Sequence, residues 1–361
     1  MTHRLLTVAI LGLTVAFAAM LAPTAVGAAG QAAGASVARP VVAPRAGVVA
    51  PRAGEGARPY SPPRTPDGQP DFQGFWTNST YTPLERPNGV TKELYTLDEA
   101  AAAEKRAAER EAEQTEPGTT ADVHYDFSQF GLDRSQSTVA RSLRTSLIVD
   151  PPDGKIPPMN ATGQKRTAER AAARKAMGGN YDAVENMAIG SRCIIMAGAG
   201  PPMMNAGYNS NYQIVQAPGY VMILTEMIHD VRIIALDGRS APPAGLRQWT
   251  GVSRGRWDGN TLVVESTNFN GKNPFRNASD QMKVTERFTR VSESEVTYRF
   301  TVEDPATWDR PWTAEAPMAK TVGPIFEFAC HETNYGVANI LAGARADEKR
   351  AAEAGAKKGS N

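Results

Sequence analysis

The two histidines in the predicted β-region lie close to acidic residues, and this pairing is the feature of the sequence best suited to chemistry. His229 follows Glu226 by three residues, and His331 follows Glu327 by four. An imidazole beside a carboxylate can act as a general acid or base near neutral pH. The sequence therefore offers His229 or His331 as a general base that Glu226 or Glu327 orients, as a lyase, an isomerase or a hydrolase requires.

A structural interpretation of the same residues is also open. His229 and Asp230 are typical of a turn between two strands, and Cys330 would hold His331 beside a disulfide. The spacing matches no metal signature, because the chain has no HExxH motif and adjacent Cys330 and His331 are poor partners in a chelate. We predict neither a metal nor a cofactor.

A second set of residues is suited to binding a ligand, because its members place polar groups and aromatic rings on strands and loops. These candidates are Arg299, Thr301, Glu286, Tyr212, Asn211, Asn268 and Trp312. Rings combined with amides and arginine suit a small, partly apolar or aromatic molecule. Arg299 and Thr301 share one strand face, which either lines a barrel interior or meets solvent. In the enzyme hypothesis Arg299 stabilises developing negative charge.

Residues 251–255 fit the motif G-x-S-x-G, in which a catalytic serine stands on a turn between a strand and a helix. Here Ser253 is followed by Asp258-Gly259-Asn260 and a further strand, not by a helix. We interpret the match as due to chance.

The charge and the cysteine content narrow the class of protein. The chain has 39 Lys and Arg against 38 Asp and Glu, so nothing favours a nucleic-acid partner. After the N-terminal segment no apolar run is long enough to span a membrane. The only two cysteines, Cys193 and Cys330, most simply form one disulfide in an exported protein, with a metal-binding or catalytic thiol as the alternative. No oligomeric state is indicated.

Composition divides the chain into four parts. Residues 1–28 have the features of a secretory signal peptide, which predicts a periplasmic or secreted protein; a membrane anchor is the alternative. Residues 29–69 form an Ala/Pro/Gly linker, in which VVAPRAG occurs twice, and we expect it to be disordered. Residues 70–345 form a single β-rich domain, and residues 346–361 form a frayed, charged tail.

Alternation of apolar and polar residues predicts nine or ten strands joined by short turns, the last of them near residues 324–329. No β-α-β pattern appears, which argues against a parallel sheet. We therefore predict a mainly β fold, an antiparallel meander or barrel, with a few surface helices. The helices are expected at about 97–113, 162–177 and 337–354.

The stretch PDFQGFWTN contains a G-x-W motif, Gly74 to Trp76, at the start of the first strand. This motif resembles the start of lipocalin-like (calycin) barrels. The resemblance implies that Trp76 plugs the closed end of a barrel, that Gly74 permits close packing, and that an arginine from a late strand stacks on the indole. Arg287 and Arg299 are the candidates for that arginine.

Several longer segments also resemble a widespread group of exported bacterial proteins. They include PRTPDGQPDFQGFWTN, SLIVDPPDGKIPP, NYQIVQAPGYVMILTEMIHDVRIIALDGR, GRWDGNTLVVESTNF and EFACHETNYG. The resemblance implies one unit over about 62–345 and implies no reaction. Three hypotheses follow: an exported β-barrel that binds a small molecule, an enzyme on the same barrel, and a tethered interaction module without a small-molecule site.

Overall fold

A single ten-stranded sheet organises the chain, and nine of its strands close into a barrel in the computed structural model. The structure describes residues 60–112, 138–196, 198–240, 242–332 and 334–359. The strands are β1 Gly74–Thr77, β2 Ile148–Asp150, β3 Asn211–Ala217, β4 Tyr220–Thr225, β5 Val231–Ala235, β6 Val252–Asp258, β7 Thr261–Thr267, β8 Lys283–Arg290, β9 Glu295–Glu303 and β10 Trp312–Lys320. The α-helices are α1 Leu97–Ala112, α2 Ala161–Ala176 and α3 Tyr335–Gly359.

The barrel closes because its first strand pairs on both sides. β1 pairs with β3 along its whole length and with β10 at Trp76 and Thr77. From β3 to β10 each strand pairs with the next one in the chain, and β2 pairs with β10 as the tenth strand. Along β9, buried Val296, Tyr298 and Phe300 alternate with less buried neighbours, as expected for a strand that turns one face to a core. The prediction of a mainly β barrel with a few helices is confirmed.

One junction of the barrel differs from the predicted antiparallel meander. β5 and β6 run parallel, and a single bridge between Ala235 and Arg254 joins them. The long connection after β5 causes this, because it returns to the end of the barrel where β5 began before β6 starts. Asn268 anchors the connection: its side-chain amide donates to the carbonyls of Pro243 and Leu246, each at 3.1 Å.

The last strand also differs from the prediction. Residues 324–329 form no strand, and the tenth strand is β10, where no strand was predicted. Pro317 and several alanines hide the strand pattern, because proline lacks the N–H that a central strand normally donates. In the barrel, Pro317 lies between the residues that pair with β2 (313–314) and those that pair with β1 (319–320). Its missing donor therefore interrupts neither of those ladders.

Trp76 and Arg290 close one end of the barrel. Trp76 is fully buried, and its indole nitrogen donates to the carbonyl of Phe72 at 2.8 Å. The guanidinium of Arg290 lies 5.6 Å from the centre of the indole ring. It also donates to the carbonyls of Asp71 at 2.7 Å and Glu293 at 2.9 Å. The contact between an arginine and the tryptophan is therefore present at this end.

The two arginines predicted for this role were the wrong ones. Arg287 lies on the outside and pairs with Asp258 at 2.8 Å, and Arg299 lies on the outside near Glu315. In β8 the inward positions are the even-numbered ones, which end at Arg290. Alternation along the strand thus decides which arginine reaches the indole.

Gly74 serves a different purpose from the predicted one. Its φ angle is +122°, and a Cβ atom added there would meet no atom within 4 Å. The position needs glycine for its backbone conformation, which L-residues rarely adopt, and not for close packing.

The helices follow the expected signals, with changes at their ends. The capping box of α1 is formed, since the backbone N–H of Thr96 donates to Glu99 at 2.8 Å and that of Glu99 donates to the Thr96 hydroxyl at 3.3 Å. α2 begins after Asn160, whose side chain accepts from the N–H of Gly163. Residues 346–359, where the sequence predicts a frayed tail, continue α3. Their alanines and their glutamate, lysine and arginine residues are strong helix formers.

The predicted N-terminal segments lie mostly outside the described residues. The predicted signal peptide and most of the predicted linker, residues 1–59, lie outside the described residues, as does the segment 113–137. Residues 60–69 are described and are not a free linker, because Arg64 forms a bridge with Pro70 and donates to Asn260 at 2.8 Å. The described residues belong to one compact unit, residues 52–361. Among them, no helix combines the length and the apolar character that a membrane span requires.

We expect Arg290→Met to lower the free energy of unfolding by about 3 kcal/mol, because buried carbonyls lose a charged donor and the indole loses its cation. Urea unfolding followed by tryptophan fluorescence measures the change. Arg287→Met is the matched control, since Arg287 is an arginine on the outer face of the same strand, three residues before Arg290. Equal losses in the two variants would contradict the assignment of Arg290 to the barrel end.

Candidate functional site

The barrel interior contains polar groups as well as apolar side chains. Seven inward residues from β3 to β9 and the residue after β1 contribute them, and we call these eight residues the interior polar cluster. Its members are Asn78, Tyr212, Thr225, Arg232, Ser253, Ser266, Glu286 and Tyr298. All eight are buried, the most exposed being Ser253 at 7%. Buried polar groups are costly unless they are paired, so their partners decide what the cluster can do.

An ion pair between Arg232 and Glu286 is the centre of the interior polar cluster. The two guanidinium Nη atoms donate to the two carboxylate oxygens at 3.1 and 2.5 Å. Arg232 also donates to the hydroxyl of Ser253 at 3.2 Å, and Ser253 shares a 2.8 Å hydrogen bond with Ser266. The carboxylate holds the pKa of Arg232 above its usual value, against the effect of burial. The opposite charges of the two side chains offset each other within the interior.

Two tyrosine hydroxyls complete the interior polar cluster. Tyr298 donates to Glu286 at 2.8 Å, and Tyr212 donates to the carbonyl of Gly198 at 3.2 Å. Burial raises the pKa of both phenols, and the charge of Glu286 raises them further. Both tyrosines are therefore neutral hydrogen-bonding groups at physiological pH.

Several polar atoms of the cluster make no hydrogen bond of ordinary geometry. These atoms are both amide atoms of Asn78, the hydroxyl of Thr225 and Nε of Arg232. The Asn78 amide lies close to the hydroxyl of Tyr212. This contact offsets part of the rise that burial causes in the pKa of Tyr212, although its geometry falls short of a good hydrogen bond. Thr225 lies directly opposite Tyr212 in the β3–β4 register. The unmade bonds thus lie on the β1–β5 side of the interior and offer donors and acceptors to a further molecule.

A loop fills the barrel end above this cluster. Residues 198–203 enter the barrel, and the side chain of Met203 is fully buried. The backbone N–H of Met203 donates to the hydroxyl of Tyr298 at 2.8 Å, while Gly198 accepts from Tyr212. We call residues 198–203 the plug loop, because two tyrosines of the interior polar cluster hold it in the barrel.

The predicted ligand-binding residues are divided by the barrel wall. Glu286 and Tyr212 lie in the interior polar cluster, although the sequence analysis did not place them together. Arg299 is exposed on the outer face, and Thr301 shares a 2.9 Å hydrogen bond with Thr313 there. The interpretation in which Arg299 and Thr301 line the interior is therefore wrong, because buried Tyr298 and Phe300 occupy the inward positions of β9.

Two further predicted residues have structural contacts. Trp312 is fully buried between Phe300, Trp308 and Phe275, with ring centroids about 6 Å apart. Asn268, as described above, holds the connection between β5 and β6. Neither residue lies in the interior polar cluster.

The predicted histidine and carboxylate set lies in a separate region near the disulfide. Cys193 and Cys330 form the predicted bond, and Met227 and Ile228 pack against it. His229 is exposed, and its Nδ1 lies 3.0 Å from the carbonyl of Phe328. The set is therefore gathered around a small apolar cluster that is separate from the barrel core.

The two carboxylates predicted to orient a histidine, Glu226 and Glu327, lie in different surroundings. Glu226 is buried and accepts from the side-chain amides of Asn209 at 3.1 Å and Asn211 at 2.6 Å. Glu327 and His331 are exposed. Among the described residues, no cluster of three or more His, Cys, Asp or Glu side chains is placed to hold a metal ion.

Ser253 has the surroundings of a strand residue, as its motif context indicated. It lies in β6, its hydroxyl bonds to Ser266, and the next element is β7. Asn78, Thr225 and Arg232 are members of the cluster that were not predicted from the sequence. The inward position of Arg232 in VRIIA was the available signal, since a charged residue among apolar inward neighbours needs a buried partner.

A concavity opens to solvent at the Trp76 end. It has a volume of about 580 Å³, and Tyr60, Asp71, Arg290, Glu293 and Lys320 line part of it. None of the predicted site residues lies there.

Comparisons of the chain with protein-family models, with curated proteins and with solved structures gave no match.

We expect Thr225→Val to leave the free energy of unfolding unchanged or raised, because the hydroxyl has no partner to lose. Thr145→Val is the matched control, since the buried Thr145 hydroxyl donates to the carbonyl of Lys92 at 2.7 Å and accepts from Arg86. It should lower the free energy of unfolding by about 1–3 kcal/mol. Urea unfolding measures both, and a similar loss in Thr225→Val would show that this hydroxyl is already bonded.

We expect the free energy of unfolding to fall as the pH rises above about 10. Tyr212 and Tyr298 have raised pKa values in the folded state, so the unfolded chain loses these two protons first and alkali favours it. Urea unfolding at pH 9 and pH 10.5 gives the slope, and absorbance at 295 nm follows tyrosine ionisation. The double variant Tyr212→Phe with Tyr298→Phe should have a shallower slope. An unchanged slope would contradict the shifts.

Proposed function

We propose that the protein is an exported β-barrel that binds a small, uncharged, partly apolar or aromatic molecule at the interior polar cluster. One observation carries the proposal: donors and acceptors of Asn78, Thr225 and Arg232 are buried without ordinary partners on one side of an apolar barrel. Native interiors leave few such groups unpaired, and those that remain call for a water or a ligand.

The charge balance of the interior supports an uncharged ligand. Arg232 and Glu286 neutralise each other, and both tyrosines are neutral. A charged ligand would bring an unpaired charge into a low-dielectric interior, which is costly. An apolar or aromatic ligand with a hydroxyl, carbonyl or amide group can bond to the unpaired atoms of Asn78, Thr225 and Arg232 without that cost.

The walls around the cluster support the partly apolar character of the ligand. Trp76 on β1, Ile223 on β4 and Val264 on β7 are inward and fully buried. Such a site combines apolar contact area with a few directional hydrogen bonds, as small-molecule sites generally do.

Entry requires the plug loop to leave the barrel end. Its backbone is bonded to the tyrosines of the cluster through Met203 and Gly198, so a ligand that reaches the cluster competes with these contacts. We infer that binding replaces loop-to-tyrosine hydrogen bonds with ligand-to-tyrosine bonds.

Export rests on the predicted signal peptide and on the disulfide. A bond between Cys193 and Cys330, the only two cysteines of the chain, suits an oxidising compartment such as the periplasm or the extracellular space. The enzyme hypothesis built on His229 and His331 stays a prediction, since the contact of His229 is with a backbone carbonyl.

The test is a thermal-shift screen of the full chain against small aromatic compounds and carbon sources, followed by calorimetry on each hit. We expect Thr225→Val to weaken binding of a hit by at least tenfold, because it loses the free hydroxyl and keeps its shape. Thr301→Val is the control, since it makes the same change on the outer face of the barrel, and it should bind as the unmodified protein does.

Met203→Ala provides a second measurement. Shortening the plug side chain should strengthen binding of the same hit, because the loop leaves the barrel more easily. The proposal would be wrong if binding survived Thr225→Val and was lost in Thr301→Val, or if no compound in the screen bound at all.

A further inference from the structure

The concavity at the Trp76 end contains two cationic side chains that have no acidic partner among the described residues. Arg290 is only 7% exposed, and the hydrogen bonds of its guanidinium go to three backbone carbonyls. Lys320 also lines the concavity, is exposed and forms no ion pair. A buried charge without a counter-charge is costly, so these two cations favour the binding of an anionic group.

Strand alternation places both cations at this end of the barrel. Arg290 is the last inward residue of β8, and Lys320 comes two residues after the inward Met318 on β10. Lys320 also lies directly opposite Trp76 in the β1–β10 register. Residues opposite each other in an antiparallel pair point to the same face of the sheet. The Lys320 side chain is therefore on the same side as the indole that Arg290 covers.

Two carboxylate residues border the same concavity. The backbone carbonyls of Asp71 and Glu293 accept from Arg290, so both residues adjoin the guanidinium. One carboxylate oxygen of Asp71 accepts from the backbone N–H of Gln73 at 2.8 Å. Glu293 is exposed, and its carboxylate forms no ion pair within the described part of the chain. The concavity thus holds two cations and two carboxylates in separate positions.

Residues 60–63 form a mainly apolar wall of the concavity. Tyr60, Pro62 and Pro63 contribute flat rings to it. The wall is fixed to the barrel, because the carbonyl of Pro63 accepts from the backbone N–H of Asp71 at 2.8 Å. A phenol ring and two proline rings suit contact with a flat apolar or aromatic group.

We propose that this concavity binds a small zwitterion, an amino acid with a flat apolar or aromatic side chain. The ligand carboxylate bonds to Arg290 and Lys320, and the ligand ammonium group bonds to Glu293. A guanidinium has five N–H donors and three of them are used in the carbonyl contacts, so two are left for a carboxylate. The ligand side chain lies against the wall of residues 60–63.

The charges of the concavity favour a zwitterion over a simple anion or a simple cation. An anion alone would meet the carboxylates of Asp71 and Glu293, and a cation alone would meet Arg290 and Lys320. The volume of about 580 Å³ lies within the range of small-molecule sites. No residue of the interior polar cluster lines this concavity, so the zwitterion site is separate from the site proposed for an uncharged ligand.

Phenylalanine is the probe, and two analogues are its matched controls. The analogue 3-phenylpropionate lacks the ammonium group, and 2-phenylethylamine lacks the carboxylate. We expect the full chain to bind phenylalanine about fivefold more tightly than either analogue, because each analogue loses one charged contact. Isothermal titration calorimetry measures the three affinities. Equal affinities, or no binding of phenylalanine, would overturn the proposal.

Two exposed residues test the orientation of the ligand. Lys320→Met should weaken phenylalanine and 3-phenylpropionate about fivefold and leave 2-phenylethylamine unchanged. Glu293→Gln should weaken phenylalanine and 2-phenylethylamine and leave 3-phenylpropionate unchanged. Lys272→Met is the matched control, since Lys272 is an exposed lysine in the connection between β7 and β8, and it should bind all three as the unmodified protein does. A loss in Lys272→Met equal to that in Lys320→Met, or the absence of the crossed pattern, would contradict the assignment.

Thr225→Val separates this site from the interior one. That variant changes the barrel interior and leaves the concavity intact, so it should bind phenylalanine normally. Loss of phenylalanine binding in Thr225→Val would place the probe inside the barrel and overturn the proposal. Compounds that bind at the interior polar cluster should in turn bind Lys320→Met normally, so the two proposals fail independently.

Discussion

The buried ion pair between Arg232 and Glu286 is the interaction on which the barrel depends. Backbone hydrogen bonds close every junction of the barrel except the one between β5 and β6, where a single bridge is present. Arg232 spans that junction with its side chain, reaching Ser253 on β6 and Glu286 on β8. Breaking such a pair by removing one partner costs about 3–5 kcal/mol, because the other charge stays buried. The guanidinium of Arg232 therefore has two effects: it joins β5 to β6 and β8, and it places a charged group in the barrel interior.

The two ends of the barrel are closed by different means. At one end Arg290 bonds to backbone carbonyls and covers Trp76, so the closure consists of charged hydrogen bonds and ring contact. At the other end the plug loop is bonded to the barrel interior through Tyr212 and Tyr298. The plug loop is also held by apolar contact, since Met203 is fully buried in the barrel core. Charge and ring contact thus close the Trp76 end, and a buried loop with two neutral hydrogen bonds closes the other.

The sequence predicts the strands well where inward and outward residues alternate, as in Val296 to Val302, and it predicts the disulfide from the presence of only two cysteines. It fails at β10, because Pro317 and small inward alanines look like a loop until β9 and β2 are placed beside them. The predicted stacking arginines failed for a similar reason, since a shift of one residue along β8 exchanges the two faces. Of the interior polar cluster, Glu286 and Tyr212 were predicted as ligand-binding residues, each without its partner. Their partners Arg232 and Asn78 come from distant strands, and only the closed barrel brings them together.

The disulfide has a consequence for the connectivity of the barrel. Cys193 and Cys330 enclose β3 to β10, so eight of the nine barrel strands belong to one covalent ring. β1, which carries Trp76, enters from outside the ring and closes it only through hydrogen bonds and packing. The barrel is in effect a macrocycle that is completed by an inserted strand. A force applied at the N-terminal side of the chain would reach this inserted strand first, and the ring would keep the other eight together.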